Sequence, residues 1–188
     1  MAIIVLDRDG VINCDSDAYV KSADEWIPLP GSIEAMAELS RAGHQLVIAT
    51  NQSGLALGLF DLDDLEAMHA KMRALVEDAG GEIAAIFYCP HGPDDNCRCR
   101  KPRAGLLDAI EAEFDTSLHG CYMVGDKLKD LQTALAKGCN PVLVKTGAGE
   151  QTLAQLIREP DAELVSTAVF EDLSAFAEFF LQQAAASS

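Results

Sequence analysis

The chain has 188 residues, 49% of them hydrophobic, and its 14 basic and 30 acidic residues give a formal net charge of −16 at pH 7. This length is enough to bury a sizeable core as one domain. The acidic balance argues against a general nucleic-acid-binding protein, because such proteins need a broad basic surface.

The apolar run at the amino terminus, residues 1–6, is far shorter than a signal-peptide core or a membrane span. We therefore expect a monomeric cytoplasmic protein that binds neither nucleic acid nor membranes. Six cysteines could form three disulfides. Without an export signal, however, we expect the thiols to stay reduced, as metal ligands or idle thiols.

Short apolar runs alternate with longer amphipathic segments along the chain. This alternation predicts an α/β fold, a Rossmann-like, doubly wound parallel sheet with helices on both faces, in one domain over residues 1–188. The predicted strands cover residues 3–6, 45–49, 85–88, 121–124 and 142–144, with a weaker sixth near 164–165. The predicted helices cover residues 32–41, 62–79, 105–114, 128–136, 152–157 and 173–183.

Three segments depart from this alternation. The Ala/Ser tail, residues 184–188, is expected to fray. The connections 13–30 and 89–103 are long for a compact α/β domain, and both follow predicted strands at the carboxyl end, where such folds bind ligands. We expect both to be functional, and neither is long enough to form a cap domain.

Two carboxylates one residue apart, Asp7 and Asp9, follow the first predicted strand and precede Gly10. Such a pair is by itself equally consistent with an ordinary polar strand end. In this position, one carboxylate can attack phosphorus and bind Mg²⁺, while the other protonates the leaving oxygen.

The second and fourth predicted strands also end in polar groups. The run Thr50-Asn51-Gln52-Ser53-Gly54 offers hydroxyls, amides and backbone N–H groups that can bind phosphoryl oxygens. Asp126 adds a third carboxylate for an oxygen-rich Mg²⁺ shell. Each motif alone is an ordinary loop or helix start. Together, the three strand ends indicate one phosphoryl-transfer site.

A basic run, residues 98–103, holds four of the chain's 14 basic residues. In so acidic a chain, it is expected to attract an anionic substrate locally. Lys101 would offset charge on a transferring phosphoryl group, whereas Arg100 has the fork geometry for a second anionic group or for hydroxyls. The alternative is a solvated loop that balances Asp94 and Asp95.

Cys89, His91, Cys97 and Cys99 form a C-x-H pair and a C-x-C pair with five residues between them. Three thiolates and one imidazole are a complete tetrahedral set for Zn²⁺, with no position left for a reacting water. The pattern therefore predicts a structural zinc site that fixes residues 89–103 and aims the basic run, in preference to free thiols or a redox pair.

Together these motifs resemble the haloacid-dehalogenase (HAD) superfamily of aspartate-nucleophile phosphatases. The closest resemblance is to its capless branch of D-glycero-D-manno-heptose 1,7-bisphosphate 7-phosphatases. It extends over the motifs between residues 6 and 127. It implies a Mg²⁺-dependent hydrolase, with structural Zn²⁺, that removes the 7-phosphate of a sugar bisphosphate in lipopolysaccharide heptose biosynthesis.

The resemblance also implies a role for individual residues. Asp7 would be the nucleophile and Asp9 the general acid/base, while Thr50 and Lys101 would hold the phosphoryl oxygens. Mg²⁺ would be bound by Asp7, by the backbone carbonyl of Asp9 and by Asp126. The residues implied to bind substrate are Asp15, Ser16, Asp17, Ala18, Tyr19, Asn51, Gln52, Ser53, Arg100 and Lys127.

Two other functions stay open at this point. The related histidinol-phosphate phosphatases share the aspartates and the zinc loop, but they typically have an Asp where this chain has Ser53, which favours the sugar bisphosphate. The alternative of another class is a protein that binds a phosphorylated ligand without catalysis. The presence of both Asp7 and Asp9 weighs against it.

Overall fold

Strands and helices alternate strictly along residues 2–186, the part of the chain that the computed structural model describes. The elements are β1 Ile3–Leu6, α1 Ser32–Arg41, β2 Gln45–Asn51, α2 Leu62–Asp78, β3 Ala85–Cys89, α3 Gly105–Phe114, β4 Tyr122–Gly125, α4 Leu128–Ala136, β5 Asn140–Val144, α5 Gly149–Arg158, β6 Ala168–Phe170 and α6 Leu173–Ala186.

The strands form one parallel sheet in the order β3-β2-β1-β4-β5-β6. β1 lies in the middle, where Leu6 is opposite Ile48 of β2 on one side and Val124 of β4 on the other. The chain winds outward from β1 in one direction through β3 and in the other through β6. Such a reversal of strand order opens a crevice at the carboxyl ends of the central strands. The predicted α/β fold is confirmed.

Both faces of the sheet are covered, because alternate side chains of a strand point to opposite faces. Ile4 and Leu6 belong to one core with α1, α2 and α6. Ile3 and Val5 belong to a second core, with α3 and α4. The near-continuous apolar character of β1 follows from this double burial.

The sixth strand does not lie where the sequence predicts it. β6 is Ala168–Phe170, which pairs with β5 at the edge of the sheet, and the prediction of residues 164–165 is wrong. Leu164 is buried with Leu131 and Leu143 in a small side cluster, while Val165 is 85% exposed. The apolar signal there came from helix packing, not from strand pairing.

Two helices are longer than predicted. α5 begins at Gly149 rather than at residue 152. α6 continues to Ala186, so residues 184–186 are helical rather than frayed, consistent with the high helix propensity of alanine. Ser187 and Ser188, the rest of the predicted tail, lie outside the described residues.

The cysteines and the hydropathy of the helices also bear on the sequence predictions. None of the six cysteines, all of them among the described residues, forms a disulfide. Within residues 2–186, no helix combines the length and the hydropathy that a membrane crossing requires.

Candidate active site

The carboxyl ends of β1, β2 and β4 meet at one end of the sheet because the three strands are direct neighbours. Asp7 follows β1, Thr50 and Asn51 end β2, and Asp126 follows β4. A cleft of about 190 Å³ opens at this point. It is lined by Asp7, Arg8, Asp9, Asp15, Ser16, Tyr19, Val20, Thr50, Asn51, Gln52, Ser53, Arg100, Lys127 and Lys129.

Most of the residues implied to bind substrate therefore line one cleft, but Asp17 and Ala18 do not. They are the central residues of an exposed turn, which the N–H of Tyr19 closes by donating to the carbonyl of Ser16 at 3.0 Å. Central turn residues project away from the chain, whereas the two ends of this turn reach the cleft. Substrate binding by Asp17 and Ala18 stays a prediction.

Three buried carboxylates lie beneath the cleft. Oxygens of Asp7, Asp126 and Asp130 lie within 4.8 Å of one another. Asp126 Oδ2 accepts a hydrogen bond from the N–H of Ala148 at 2.8 Å, but its Oδ1 is buried and has no hydrogen-bond partner among residues 2–186. A buried carboxylate oxygen without a donor, in an all-oxygen cluster, fits a hard divalent cation.

Gly10 allows the chain to pass this cluster closely. Its φ is +89°, in the region that favours glycine, and a Cβ at this position would lie 2.2 Å from Asp126 Oδ2. Burial and the neighbouring Asp7 carboxylate together raise the pKa of Asp126 to about 7. The acidic cluster is thus costly to ionise without a cation.

Lys101 supplies a positive charge inside this cluster. Its Nζ lies 2.8 Å from Asp7 Oδ1 and 2.6 Å from Asp130 Oδ1, and it donates to the carbonyl of Ala49 at 2.9 Å. Burial lowers the pKa of Lys101, but the two carboxylates outweigh burial and leave that pKa raised. Burial also raises the pKa of Asp7, and Lys101 only partly opposes this effect. The Lys101 ammonium therefore stays charged beside the predicted nucleophile.

The side-chain amide of Asn51 is hydrogen-bonded to the backbone of Lys101 and is therefore not free. Its Oδ1 accepts from the Lys101 N–H at 3.1 Å, and its Nδ2 donates to the Lys101 carbonyl at 3.2 Å. This pair of bonds ties the end of β2 to the basic run. Asn51 also lines the cleft, and its predicted contact with substrate stays a prediction.

Asp9 is held by several donors. Arg8 Nη2 lies 3.0 and 3.1 Å from its two oxygens, Asn13 Nδ2 donates to Oδ1 at 2.9 Å, and Gln52 Nε2 donates to Oδ2 at 2.8 Å. Burial raises the pKa of Asp9, but the guanidinium and the hydrogen bonds outweigh burial, so that the net pKa is lowered. Without substrate, Asp9 is therefore a carboxylate.

Three cleft residues were missed by sequence reasoning, namely the apolar Val20 and two charged residues, Arg8 and Lys129. Arg8 is 1% exposed and pairs with Asp9, although a charged residue between two aspartates reads as a surface residue. Lys129, in the first turn of α4, lines the cleft, and no carboxylate within residues 2–186 forms an ion pair with its Nζ. Burial lowers the pKa of Lys129. Arg8 and Lys129 are charged residues within two positions of a predicted site residue, and this proximity is the signal that could have identified both.

The mouth of the cleft is bridged by an ion pair. Lys127 Nζ lies 2.6 Å from Asp15 Oδ2 and 3.4 Å from Asp126 Oδ2. Burial lowers the pKa of Lys127, but Asp126 and Asp7 outweigh burial and raise it. The ion pair connects the loop after β1 to the start of α4.

The Cys/His cluster lies at the end of β3, next to the basic run. The four ligand atoms of Cys89, His91, Cys97 and Cys99 lie within 4.8 Å of one another. Cys89 Sγ is 3.7 Å from Cys97 Sγ and 3.2 Å from Cys99 Sγ. Sulfurs bound tetrahedrally to one Zn²⁺ are about 3.8 Å apart, so the arrangement fits a four-coordinate metal.

Comparison with known proteins identifies the family. A curated relative from Pseudomonas putida, named D-glycero-beta-D-manno-heptose-1,7-bisphosphate 7-phosphatase, is 54% identical over 177 residues, covering 94% of this chain and 98% of the relative. The chain belongs to this phosphatase family. A relative of the same name from Neisseria meningitidis serogroup A is 47% identical and covers 99% of this chain and 98% of its own length. A sequence profile of the HAD-hydrolase-like family matches residues 98–175.

Solved structures of the family have the same fold. The D,D-heptose 1,7-bisphosphate phosphatase from B. bronchiseptica, in complex with magnesium and phosphate, is 54% identical and superposes with a TM-score of 0.92 over 97% of this chain and 99% of that one. The enzyme from Burkholderia thailandensis, at 41% identity, has a TM-score of 0.74 and covers 96% of this chain and 99% of its own. The predicted family resemblance is confirmed.

Proposed function

We propose that this chain is a Mg²⁺-dependent phosphatase that hydrolyses the 7-phosphate of D-glycero-β-D-manno-heptose 1,7-bisphosphate through an aspartyl-phosphate intermediate. The observation that carries the proposal is that Asp7 and Asp9 line one strand-end cleft, while the buried Lys101 ammonium lies 2.8 Å from Asp7. The names of relatives that are 54% identical over nearly the whole chain support the substrate.

The acidic cluster would hold the magnesium ion through Asp7, Asp126 and the backbone carbonyl of Asp9. The B. bronchiseptica structure contains magnesium and phosphate together, which supports this assignment. When bound, Mg²⁺ supplies the positive charge that lets an anionic nucleophile approach an anionic phosphoryl group. Asp130 is better placed as a support for Lys101, because both its oxygens have partners: Oδ1 lies 2.6 Å from Lys101 Nζ, and Oδ2 accepts from the N–H of Lys127 at 3.0 Å.

The first step transfers the phosphoryl group to the enzyme. A carboxylate oxygen of Asp7 forms a bond to phosphorus, the bond from phosphorus to the sugar oxygen breaks, and Asp9 donates its proton to that leaving oxygen. An arriving phosphoryl anion raises the pKa of Asp9, so that it gains this proton before transfer. Lys101 and Thr50 would stabilise the phosphoryl oxygens.

The second step hydrolyses the aspartyl phosphate. A water molecule attacks phosphorus, and Asp9, now a carboxylate, accepts a proton from that water. The acyl-phosphate bond breaks, which releases inorganic phosphate and restores the Asp7 carboxylate. The low pKa of Asp9 in the empty site suits this base role.

We further propose that Cys89, His91, Cys97 and Cys99 bind one structural Zn²⁺. The cluster is a closed set of four ligands, and Cys99 directly precedes Arg100 in the chain. Arg100 also donates to the carbonyl of His91 at 3.3 Å. Zinc would thus orient Arg100, which lines the cleft and whose other N–H donors would meet the second phosphate of the substrate.

The net charge of the chain bears on its oligomeric state. A net charge of −16 disfavours self-association, and we propose that the enzyme acts as a monomer in the cytoplasm. Its substrate is a small phosphorylated sugar rather than a macromolecule.

The decisive experiment measures phosphate release from the two anomers of the heptose bisphosphate and from histidinol phosphate, each with Mg²⁺. The ratio of kcat/KM values reports discrimination in the transition state. We expect the β-anomer to have the highest kcat/KM. A preference for histidinol phosphate would overturn the substrate assignment, and lack of turnover with every phosphomonoester would overturn the enzyme assignment.

A further inference from the structure

The side chain of Gln52 has every hydrogen-bonding group engaged by protein. Its Nε2 donates to Asp9 Oδ2 at 2.8 Å and to Thr50 Oγ1 at 2.9 Å, and its Oε1 accepts from Arg8 Nη2 at 3.1 Å. The residue is 4% exposed. A primary amide has two N–H donors, and both are used here, so that none is left for a substrate.

The orientation of this amide follows from its neighbours. If it were flipped, the carbonyl oxygen would face the Asp9 carboxylate and the amide hydrogens would face the guanidinium of Arg8. Both contacts would be repulsive. The observed orientation therefore satisfies all three partners together.

Arg8 approaches Asp9 from a second direction. Its Nε lies 3.3 Å from Asp9 Oδ1, and its Nη2 lies near both carboxylate oxygens. Since Nη2 also bonds to Gln52, the guanidinium, the amide and the carboxylate form a closed ring of hydrogen bonds. Such a ring fixes the rotation of the Asp9 side chain, which an isolated aspartate would leave free.

Gln52 also couples Asp9 to the phosphoryl group. The same Nε2 that holds Asp9 holds the hydroxyl of Thr50, which the proposed function assigns to the phosphoryl oxygens. One planar amide thereby sets the separation between the proton donor and the phosphoryl group. Proton transfer needs the two oxygens within hydrogen-bonding distance, so that small errors in this separation are costly.

We propose that Gln52 is a positioning residue, which together with Arg8 aims the Asp9 carboxylate at the leaving oxygen and does not itself bind substrate. The inference rests on the proposed function and assigns Gln52 a different role in it from the substrate contact implied by the sequence. Its effect on catalysis passes through Asp9.

The test is Gln52→Met, which keeps the length of the side chain and removes its donors. Two substrates are compared: the heptose bisphosphate, whose alkoxide leaving group needs a proton, and 2,4-dinitrophenyl phosphate, whose phenolate leaves without one. The quantity measured is kcat/KM, because it covers the steps up to release of the leaving group and excludes hydrolysis of the aspartyl phosphate.

We expect kcat/KM to fall by about 10- to 100-fold more for the sugar substrate than for the aryl phosphate, because loss of the contact with Thr50 affects both substrates, whereas only the sugar needs general acid catalysis. Retained turnover of the aryl phosphate also demonstrates a folded site. Gln52→Glu, which removes the donors but keeps the size, gives a second test with the same expected selectivity. Gln45→Met, the same exchange at the other end of β2, is the matched control.

A double-mutant cycle completes the test. If Gln52 acts through Asp9, then in an Asp9→Asn background Gln52→Met should lower kcat/KM for the sugar substrate by no more than it lowers kcat/KM for the aryl phosphate in the wild-type background. Equal losses on both substrates, or an additive loss in the double variant, would overturn the positioning role. A wild-type protein that turns over neither substrate would instead overturn the proposed function.

Discussion

Replacing Lys101 by Met removes the cation that lies between two buried carboxylates. Its Nζ is 2.8 Å from Asp7 and 2.6 Å from Asp130, and all three side chains are buried. Removing one partner of a buried ion pair typically costs about 3 to 5 kcal/mol in unfolding free energy, because the remaining charge is uncompensated. For a chain of this size, this loss corresponds to a decrease in Tm of about 6 to 20 °C.

The loss should depend on pH. Without the ammonium, the main opposition to burial and to the Asp130 charge is lost, and the folded pKa of Asp7, already raised, rises further above the unfolded value of about 3.9. The folded variant then binds more protons than the unfolded chain, so that its unfolding free energy falls as the pH rises. We therefore expect the difference between wild type and Lys101→Met to grow from about pH 5 to about pH 8.

Urea unfolding in magnesium-free buffer measures this difference, with the fluorescence of the buried Trp26, the chain's one tryptophan, as the probe. Lys137→Met is the matched control, because Lys137 pairs with Asp108 and Glu111 at the surface and should cost less than about 1 kcal/mol. A loss as small as that of the control, or one that does not change with pH, would refute the reasoning.

Four further predictions follow from the site. Burial and Asp7 raise the pKa of Asp126 to about 7, so that Mg²⁺ affinity should decrease by about tenfold per pH unit below that pH. Mg²⁺ binding should then release protons, which calorimetry in buffers of different ionisation enthalpy detects. Gly10→Ala should lower Mg²⁺ affinity measured by the same titration, because a Cβ would collide with Asp126; unchanged affinity would contradict the close approach. Cys99→Ser should reduce the zinc content from about one ion per chain and increase proteolysis of residues 89–103, whereas full zinc content would exclude it as a ligand. Arg100→Ala should lower kcat/KM by about 30- to 150-fold for the bisphosphate but much less for an aryl phosphate, and equal losses would place Arg100 in the chemical step or in folding.

The sequence predicts the architecture, and the end of the sheet at which the candidate site residues gather, for a physical reason. A strand buried on both faces has to be apolar, as β1 is. The first polar residue after it therefore lies where the strand ends, at the carboxyl end of the sheet. Asp7 and Asp126 are such residues, Thr50 lies at the end of β2, and the three strands turn out to be neighbours. Local patterns suffice here because the parallel sheet performs the long-range assembly.

Partnerships between side chains are less predictable. Gln52 reads as one more polar loop residue, and only the fold brings its amide between Arg8 and Asp9. The error at β6 has a similar origin, because Leu164 is apolar for packing beside α4 rather than for a place in the sheet. Both depend on distant contacts that local patterns do not contain.

The pairing of β1 with β4 has a consequence for how the enzyme is made. Two strands and three helices separate the two in the chain, so that a nascent polypeptide can pair β1 with β2 long before Asp126 leaves the ribosome. Pairing of β1 with β2 is therefore not opposed by the repulsion of the complete acidic cluster, because Asp126 and Asp130 come later in the chain. That electrostatic penalty arises only when β4 inserts beside β1, by which time Lys101 has already been synthesised and can neutralise it. Translation order thus places the counterion ahead of the last carboxylates that need it.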